Sequence, residues 1–289
     1  MHSMGFRRLS VLAVLVALAP AAAVAETGRS FTSLSYITQV AGMRVMVTEA
    51  DVQMDARGYR VDIATRTAGA YGVLFRGETR SLAQGLWAGA LVAPQRYAAT
   101  GSWRGTPRHT LLEYEMGQPS VLQLEPPIER EREPIPVPLQ RETIDTISAA
   151  ALLSRRASLT GRCDGEARTF DGRRLIEVAA RTSGMETLDA DEALALLGAM
   201  RTGPVLRCDF EGRLLAGFML EGDRVAAAQP QKGTAWLARL GPGSPLLPVR
   251  LRFEMRWLGS ATMTLVGARA DGPPLVSQRA DAGVAPPRP

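Results

Sequence analysis

Few side chains in this sequence can do chemistry. Histidine occurs twice, at His2 and His109, and cysteine twice, at Cys163 and Cys208. A Ser-His-Asp relay needs an imidazole to take the nucleophile's proton. Here it would have to be His109, which sits in Thr106-Pro107-Arg108-His109 ahead of a strand pattern and reads as a surface turn. There is no Gly-x-Ser-x-Gly elbow, no glycine-rich phosphate loop and no dinucleotide fingerprint. Two thiols with no histidine near them do not make a zinc site. The expectation is a chain with no catalytic residue, no cofactor and no metal.

Paired carboxylates are the other route to hydrolysis, and glycoside cleavage needs two facing one cleft. Asp164, Asp171, Asp209 and Glu211 cluster in sequence around the cysteines. Three of them belong to acid-Gly pairs, where a short acceptor side chain shapes a turn. The cysteines lack the Cys-x-x-Cys spacing of a redox pair, so Cys163 and Cys208 read as one structural disulfide, with two buried free thiols as the alternative. In the chain-entropy view such a bridge stabilises by about 4 kcal/mol. Arg250, Arg252 and Arg256 alternate along one strand pattern and are the candidate face for an anionic ligand or partner, or else a solvated sheet face.

The elements that position these residues are mostly strands. Val249, Leu251, Phe253, Met255 and Trp257 alternate with polar residues, a period of two with one buried face, and Gly259-Ser260 turns the chain into a returning strand. Tyr36 to Val40 and Met43 to Met54 flank an Ala41-Gly42 turn; Tyr59, Val61 and Ile63 alternate with polar neighbours. Further strands are read at Gly85 to Leu91, Tyr97 to Trp103, Thr110 to Met116, Ser120 to Leu124, Leu175 to Arg181, Val205 to Phe210 and Leu214 to Leu220. Asp164-Gly165, Asp171-Gly172 and Glu211-Gly212 are the intervening turn signals. Thr143 can cap a helix from Ile144 to about Arg156 with a stripe of Ile144, Ile147, Ala151 and Leu152. Asp189 and Glu192 form a capping-box pattern for a second helix ending at Met200. The fold expected is mainly β: a large curved antiparallel sheet or partly open β-barrel with two short helices.

Residues 1–25 read as a secretory signal peptide: Arg7 and Arg8, an apolar run from Leu9 to Ala19, then Ala23-Val24-Ala25 for cleavage. The run is shorter than the about 20 residues of a spanning helix, an uncleaved anchor being the alternative, and no cysteine follows for lipid attachment. No stable transmembrane segment is expected after cleavage, and the expected location is the periplasm. The formal charge is +5, and without Arg7 and Arg8 it is +3, too small an excess for nucleic-acid binding. Lys232 is the only lysine, every other cationic side chain being arginine. A single β-rich domain over 30–270 is expected. A proline-rich, charged linker over 125–140 reads as an extended connector crossing the sheet, and a tail over 271–289 as disordered.

The order of motifs in the second half resembles a known family. Thr143-Ile144-Asp145-Thr146-Ile147-Ser148 follows the linker, and Cys163 precedes Phe170-Asp171-Gly172-Arg173-Arg174-Leu175. Arg207-Cys208, Ala216-Gly217-Phe218 and Leu247-Pro248-Val249-Arg250-Leu251 come after. This arrangement resembles the domain-of-unknown-function 3108 family of exported bacterial proteins, from about Tyr36 to Ala268. The resemblance implies a periplasmic β-rich fold and carries no catalytic or binding residue with it.

Binding is what remains. A curled sheet can enclose an apolar cavity, which Met43, Met46, Met54, Met116, Met219, Met255 and Met263 would line adaptably, or those methionines fill the core. The function expected is a non-catalytic periplasmic protein that binds a lipid-like or envelope-derived ligand. The alternatives are an interaction or scaffold protein of envelope assembly and, last, a glycan or ester hydrolase.

Overall fold

The computed structural model describes residues 30–188, 204–241, 243–255 and 259–270. They form one antiparallel sheet of thirteen strands that does not close. The first seven are β1 (Ser30–Val40), β2 (Met43–Met54), β3 (Gly58–Thr67), β4 (Gly77–Ala88), β5 (Leu91–Trp103), β6 (Thr106–Glu115) and β7 (Gln118–Glu125). The return half holds β8 (Gly165–Phe170), β9 (Leu175–Glu186), β10 (Val205–Ala216), β11 (Gln231–Arg239), β12 (Leu246–Met255) and β13 (Gly259–Ala270). Each half is a meander whose neighbours in sequence are neighbours in space. Pairing of β1 with β13, Leu34 opposite Ala268, joins the halves in the middle of the sheet. The outer edges are therefore β7 and β8, and the chain between them must travel from one edge to the other.

One face of this sheet is apolar because alternation puts it there. Leu34 and Tyr36 of β1, Ala50 and Val52 of β2, Tyr59 and Val61 of β3, Ala83 of β4 and Leu265 of β13 are all buried in one cluster. Helix α3 (Thr146–Thr160) lies against this face; α1 (Gly69–Leu74), α2 (Val137–Gln140) and α4 (Arg224–Ala227) are single turns or little more. Buried α3 residues are Ser148, Ala151, Ser154 and Ala157, small groups three apart that let the helix backbone approach the sheet. The disulfide expected of Cys163 and Cys208 is present, and both residues are packed with Leu206, Ala235, Leu237 and Ala157.

Several local readings need correction. Asp145, not Thr143, caps α3: its carboxylate accepts from the Ser148 amide at 2.9 Å, while the Thr143 hydroxyl donates to the Gln140 carbonyl. The helix runs on to Thr160 and ends at a left-handed Gly161. Glu211-Gly212 is no turn but mid-strand in β10, and the pattern read from Gly85 to Leu91 conceals the Gly89-Ala90 hairpin between β4 and β5. His109 lies within β6, paired with Thr100 and Glu125, rather than in a turn. On β12, Val249 is buried but Phe253 and Met255 are exposed at 41% and 36%, since the outer part of the hairpin projects past the packed face. Trp257, Arg256, the helix expected from Asp189 to Met200, residues 1–25 and the 271–289 tail lie outside the described residues. The methionines do not act as one group: Met43, Met116, Met219 and Met255 are exposed, Met46 is half-buried, and Met54 and Met263 pack against the core cluster. The 125–140 linker is not a plain extended spacer, for it holds a 3-10 turn at Ile128–Arg130, helix α2 and the buried Ile135.

Asp145 is fully buried, and burial raises its pKa against the opposing hydrogen bonds from Ser148. A carboxyl with a raised folded pKa loses stability as pH climbs from its unfolded to its folded value. Asp145→Ala should lower the unfolding free energy by about 1–3 kcal/mol in urea melts. Asp145→Asn should lose less than half of that, because it keeps an acceptor and has no charge to desolvate. The bridge closes a separation of 45 residues, so replacing both cysteines with serine should cost up to about 4 kcal/mol in the same measurement.

Candidate functional site

The linker that crosses between the sheet edges does so over a cleft of about 360 Å³ at one end of the sheet. Its walls come from three places. Strands β4 to β6 supply Thr79, Ala99, Trp103, Arg108 and Thr110; the linker supplies Glu131 and Arg132; the β8–β9 turn supplies Asp171, Arg173 and Arg174, with Met219 beside them. Four guanidinium groups thus meet two carboxylates in one cleft.

Glu131 is the centre of this arrangement. Arg108 grips it from β6 with two donors, Nη1 to Oε2 at 3.0 Å and Nη2 to Oε1 at 2.5 Å. Arg173 reaches the same carboxylate from the other edge, Nη1 to Oε2 at 3.6 Å, and donates through Nη2 to the Pro126 carbonyl at 2.7 Å. The Arg108 hydrogen bonds hold the Glu131 pKa below the ordinary carboxylate range, against some desolvation. Asp171 does what an acid ahead of glycine should: Oδ1 accepts from the Arg173 and Arg174 amides, shaping the turn. Its Oδ2 accepts from Arg174 Nε and Nη2 at 2.9 and 2.7 Å, and this pairing raises the Arg174 pKa.

Arg132 and Arg173 are the groups with surplus charge. Burial, with Arg174 close by, lowers the Arg132 pKa, and burial lowers that of Arg173. Arginine stays protonated through such shifts. Arg132 Nη1 donates to the Gly217 carbonyl at 2.7 Å. Gly217 is required there: its φ is 79°, and a Cβ would lie 2.0 Å from the Arg173 carbonyl oxygen. The linker is stitched to this segment by Glu133 N to Phe218 O and Leu220 N to Glu131 O, at 2.9 and 3.0 Å. Met219, which lines the cleft, is 48% exposed, and Leu220 next to it in sequence is 55% exposed.

Of the residues singled out from the sequence, Asp171 and Met219 line this cleft, and the other candidate site residues lie elsewhere. Arg250 extends over the Trp236 ring, its Cζ 5.1 Å from the centroid. Trp236 Nε1 donates to Glu186, which also receives Arg207, and Arg207 reaches on to Asp209. Asp209 accepts from Ser183 and Thr234 as well, so this acid serves a network on the sheet surface. Arg252 is exposed. Asp164 accepts from the hydroxyl and the amide of Thr182, which lower its pKa, beside the disulfide. His109 Nε2 stands 3.8 Å from Glu125 Oε2. Asp164, Asp171 and Asp209 are not brought to a common cleft; each is engaged with its own partners. The arginine cleft itself was not read from the sequence. Its two signals were there, the charged run in the linker and Asp171-Gly172-Arg173-Arg174, but nothing in one dimension joins them.

Comparisons with known proteins match this architecture. The model of the family described as protein of unknown function DUF3108 matches residues 32–266. No curated protein matches the sequence. Among solved structures the chain is similar to a beta-barrel-like protein of domain of unknown function DUF1849 from Brucella abortus. That likeness has a TM-score of 0.50 at 12% identity and covers 84% of this chain and 99% of the other. It is a likeness of fold. No helix among the described residues is long and apolar enough to cross a membrane.

Because its folded pKa lies below 4.5, Glu131 contributes stability that is complete above that value and lost as pH falls through the lower, folded one. Glu131→Gln should flatten the acid limb of a plot of Tm against pH and lower Tm at pH 7 by about 2–4 °C. An acid limb as steep as that of the native protein would show that Glu131 does not tie the edges.

Proposed function

The chain belongs to the DUF3108 family, and from that premise we propose that it is a non-catalytic periplasmic binding protein for an anionic, envelope-derived amphiphile. The carrying observation is the cleft under the linker, where Arg108, Arg132, Arg173 and Arg174 outnumber Glu131 and Asp171. Guanidinium forks suit phosphate and carboxylate head groups, which they bind bidentately. Met219 in the cleft and the adjacent Leu220 would take the first part of a hydrocarbon chain. An anionic group entering the cleft would relieve the mutual repulsion of Arg132 and Arg174.

Two further observations support the reading. The Cys163–Cys208 disulfide suits an oxidising compartment outside the cytoplasm, as does the signal-like segment 1–25. The concave face of the sheet is occupied by α3 and by packed side chains. A ligand therefore sits at the mouth rather than threading an acyl chain through the interior. We favour the cleft over the face of Arg250, Arg252 and Arg256, because Arg250 is already committed to Trp236.

Protein recovered from the periplasm of an expressing bacterium should release an anionic amphiphile on solvent extraction, seen by mass spectrometry in near-stoichiometric amount. The variant Arg132→Gln/Arg174→Gln should carry at least about tenfold less, the effect expected for losing two charge-assisted contacts. Native protein that yields no anionic compound, or a variant that yields as much as the native, overturns the reading.

A further inference from the structure

The segment between β3 and β4 presents two adjacent and highly exposed aliphatic side chains. From Thr67 to Phe75 it carries no charge. It folds into the single turn of α1, and none of the α1 residues is buried. Val73 is 84% and Leu74 75% exposed. The turn is nonetheless well anchored: the Ala68 amide donates to Val45 O at 2.9 Å and the Phe75 amide to Tyr71 O at 2.8 Å. Tyr71 and Phe75 stack at 4.9 Å between centroids, and Arg104 lies 4.7 Å over Phe75. The sequence holds two adjacent large aliphatic side chains on a fixed base, and none of the described residues covers them.

Arginines surround this tip. Arg66 and Arg76 flank it in sequence, and Arg44 lies under it, its carbonyl 2.6 Å from where a Cβ on Gly69 would sit. Arg104 completes the ring through Phe75. All four are exposed; Glu78 stands opposite Arg66 across β3 and β4, and Glu49 and Arg80 line the same concavity as that pair. No ion pair among the described residues engages Arg44, Arg66 or Arg76. Apolar tips with arginines set back from them match a bilayer surface: the aliphatic groups enter the acyl boundary while long cationic stems keep their heads at the phosphates. Anionic lipid adds attraction for each such cation. A protein partner is a poorer match, because one short loop is small beside the about 800 Å² per partner of a standard interface.

We infer that the β3–β4 loop is a membrane-docking element, with Val73 and Leu74 inserting into an anionic bilayer leaflet and Arg44, Arg66, Arg76 and Arg104 seated on its phosphates. The inference does not depend on what the arginine cleft binds.

Flotation tests it, using protein recovered from the periplasm and vesicles of phosphatidylethanolamine and phosphatidylglycerol. Native protein should rise with these vesicles and much less with pure phosphatidylcholine. Val73→Asp/Leu74→Asp should weaken partitioning at least about tenfold and Arg44→Gln/Arg76→Gln several-fold, each with an unchanged thermal midpoint. Leu74→Trp supplies a readout free of folding effects: its emission should shift to shorter wavelength on vesicles. Native protein that stays at the bottom, an aspartate variant that floats as the native does, or a tryptophan that remains in water overturns the inference. So does a native dimer in sedimentation that the aspartate variant dissolves without any flotation, for then the loop's occupant is a second copy of the chain.

Discussion

Everything in this molecule follows from the need to cover one apolar face. Thirteen strands in a row place Leu34, Ala50, Val61, Ala83 and Leu265 on the same side, and a twisted sheet of that size cannot leave such a face in water. It curls, and α3 fills the concavity. The close approach selects small residues on the helix: a Leu at Ser148 or Ala151 would push the sheet outward. It also forces polar groups indoors. Ser148 contacts the Tyr59 hydroxyl at 2.5 Å, and Tyr36 donates to the Pro248 carbonyl at 2.8 Å. Asp145 is buried because the helix it caps is buried.

That constraint explains what the sequence showed and what it hid. Strands with clean alternation, such as β3 with Tyr59 and Val61 in and Arg60 out, were legible because their pattern is local. So was the disulfide, a matter of compartment and count. The α3 stripe was read in part: Ala151 is buried and Ile147 packs against the cluster, but Ser148, Ser154 and Ala157 were missed, because burial in a concave sheet rewards small side chains, not the large ones by which amphipathic helices are recognised. The strand break at Glu211-Gly212 was misread because glycine before a β-strand's end and glycine within one look the same in sequence. Phe253 alternated correctly yet stays exposed, since alternation fixes a side and not the extent of the cover.

The cleft was hidden for a different reason. A chain running outward for seven strands and back for six leaves two successive strands, β7 and β8, at opposite edges of the sheet, and curling brings them together. Arg108 and Arg173 are neighbours only because the sheet bends, and Glu131 holds them because the linker has nowhere else to cross. Arginine is suited to such a junction: its planar, weakly hydrated head tolerates partial burial, and it can serve a carboxylate and a carbonyl at once, as Arg173 does with Glu131 and Pro126. A lysine there would present a compact, strongly hydrated charge and no fork.

Cleft and loop share one end of the sheet, and the link between them is covalent and short. Trp103 lines the cleft, and the next residue, Arg104, stacks on Phe75 of the exposed loop. The Arg104 amide also donates to the Arg76 carbonyl at 2.9 Å, tying the β5–β6 turn to the loop's end. With the loop seated on a bilayer, the arginine cleft would face the same surface and the lipid from which an amphiphile would come. A rigid sheet rim that carries both a foothold and a charged mouth needs no moving part to bring the two to one leaflet.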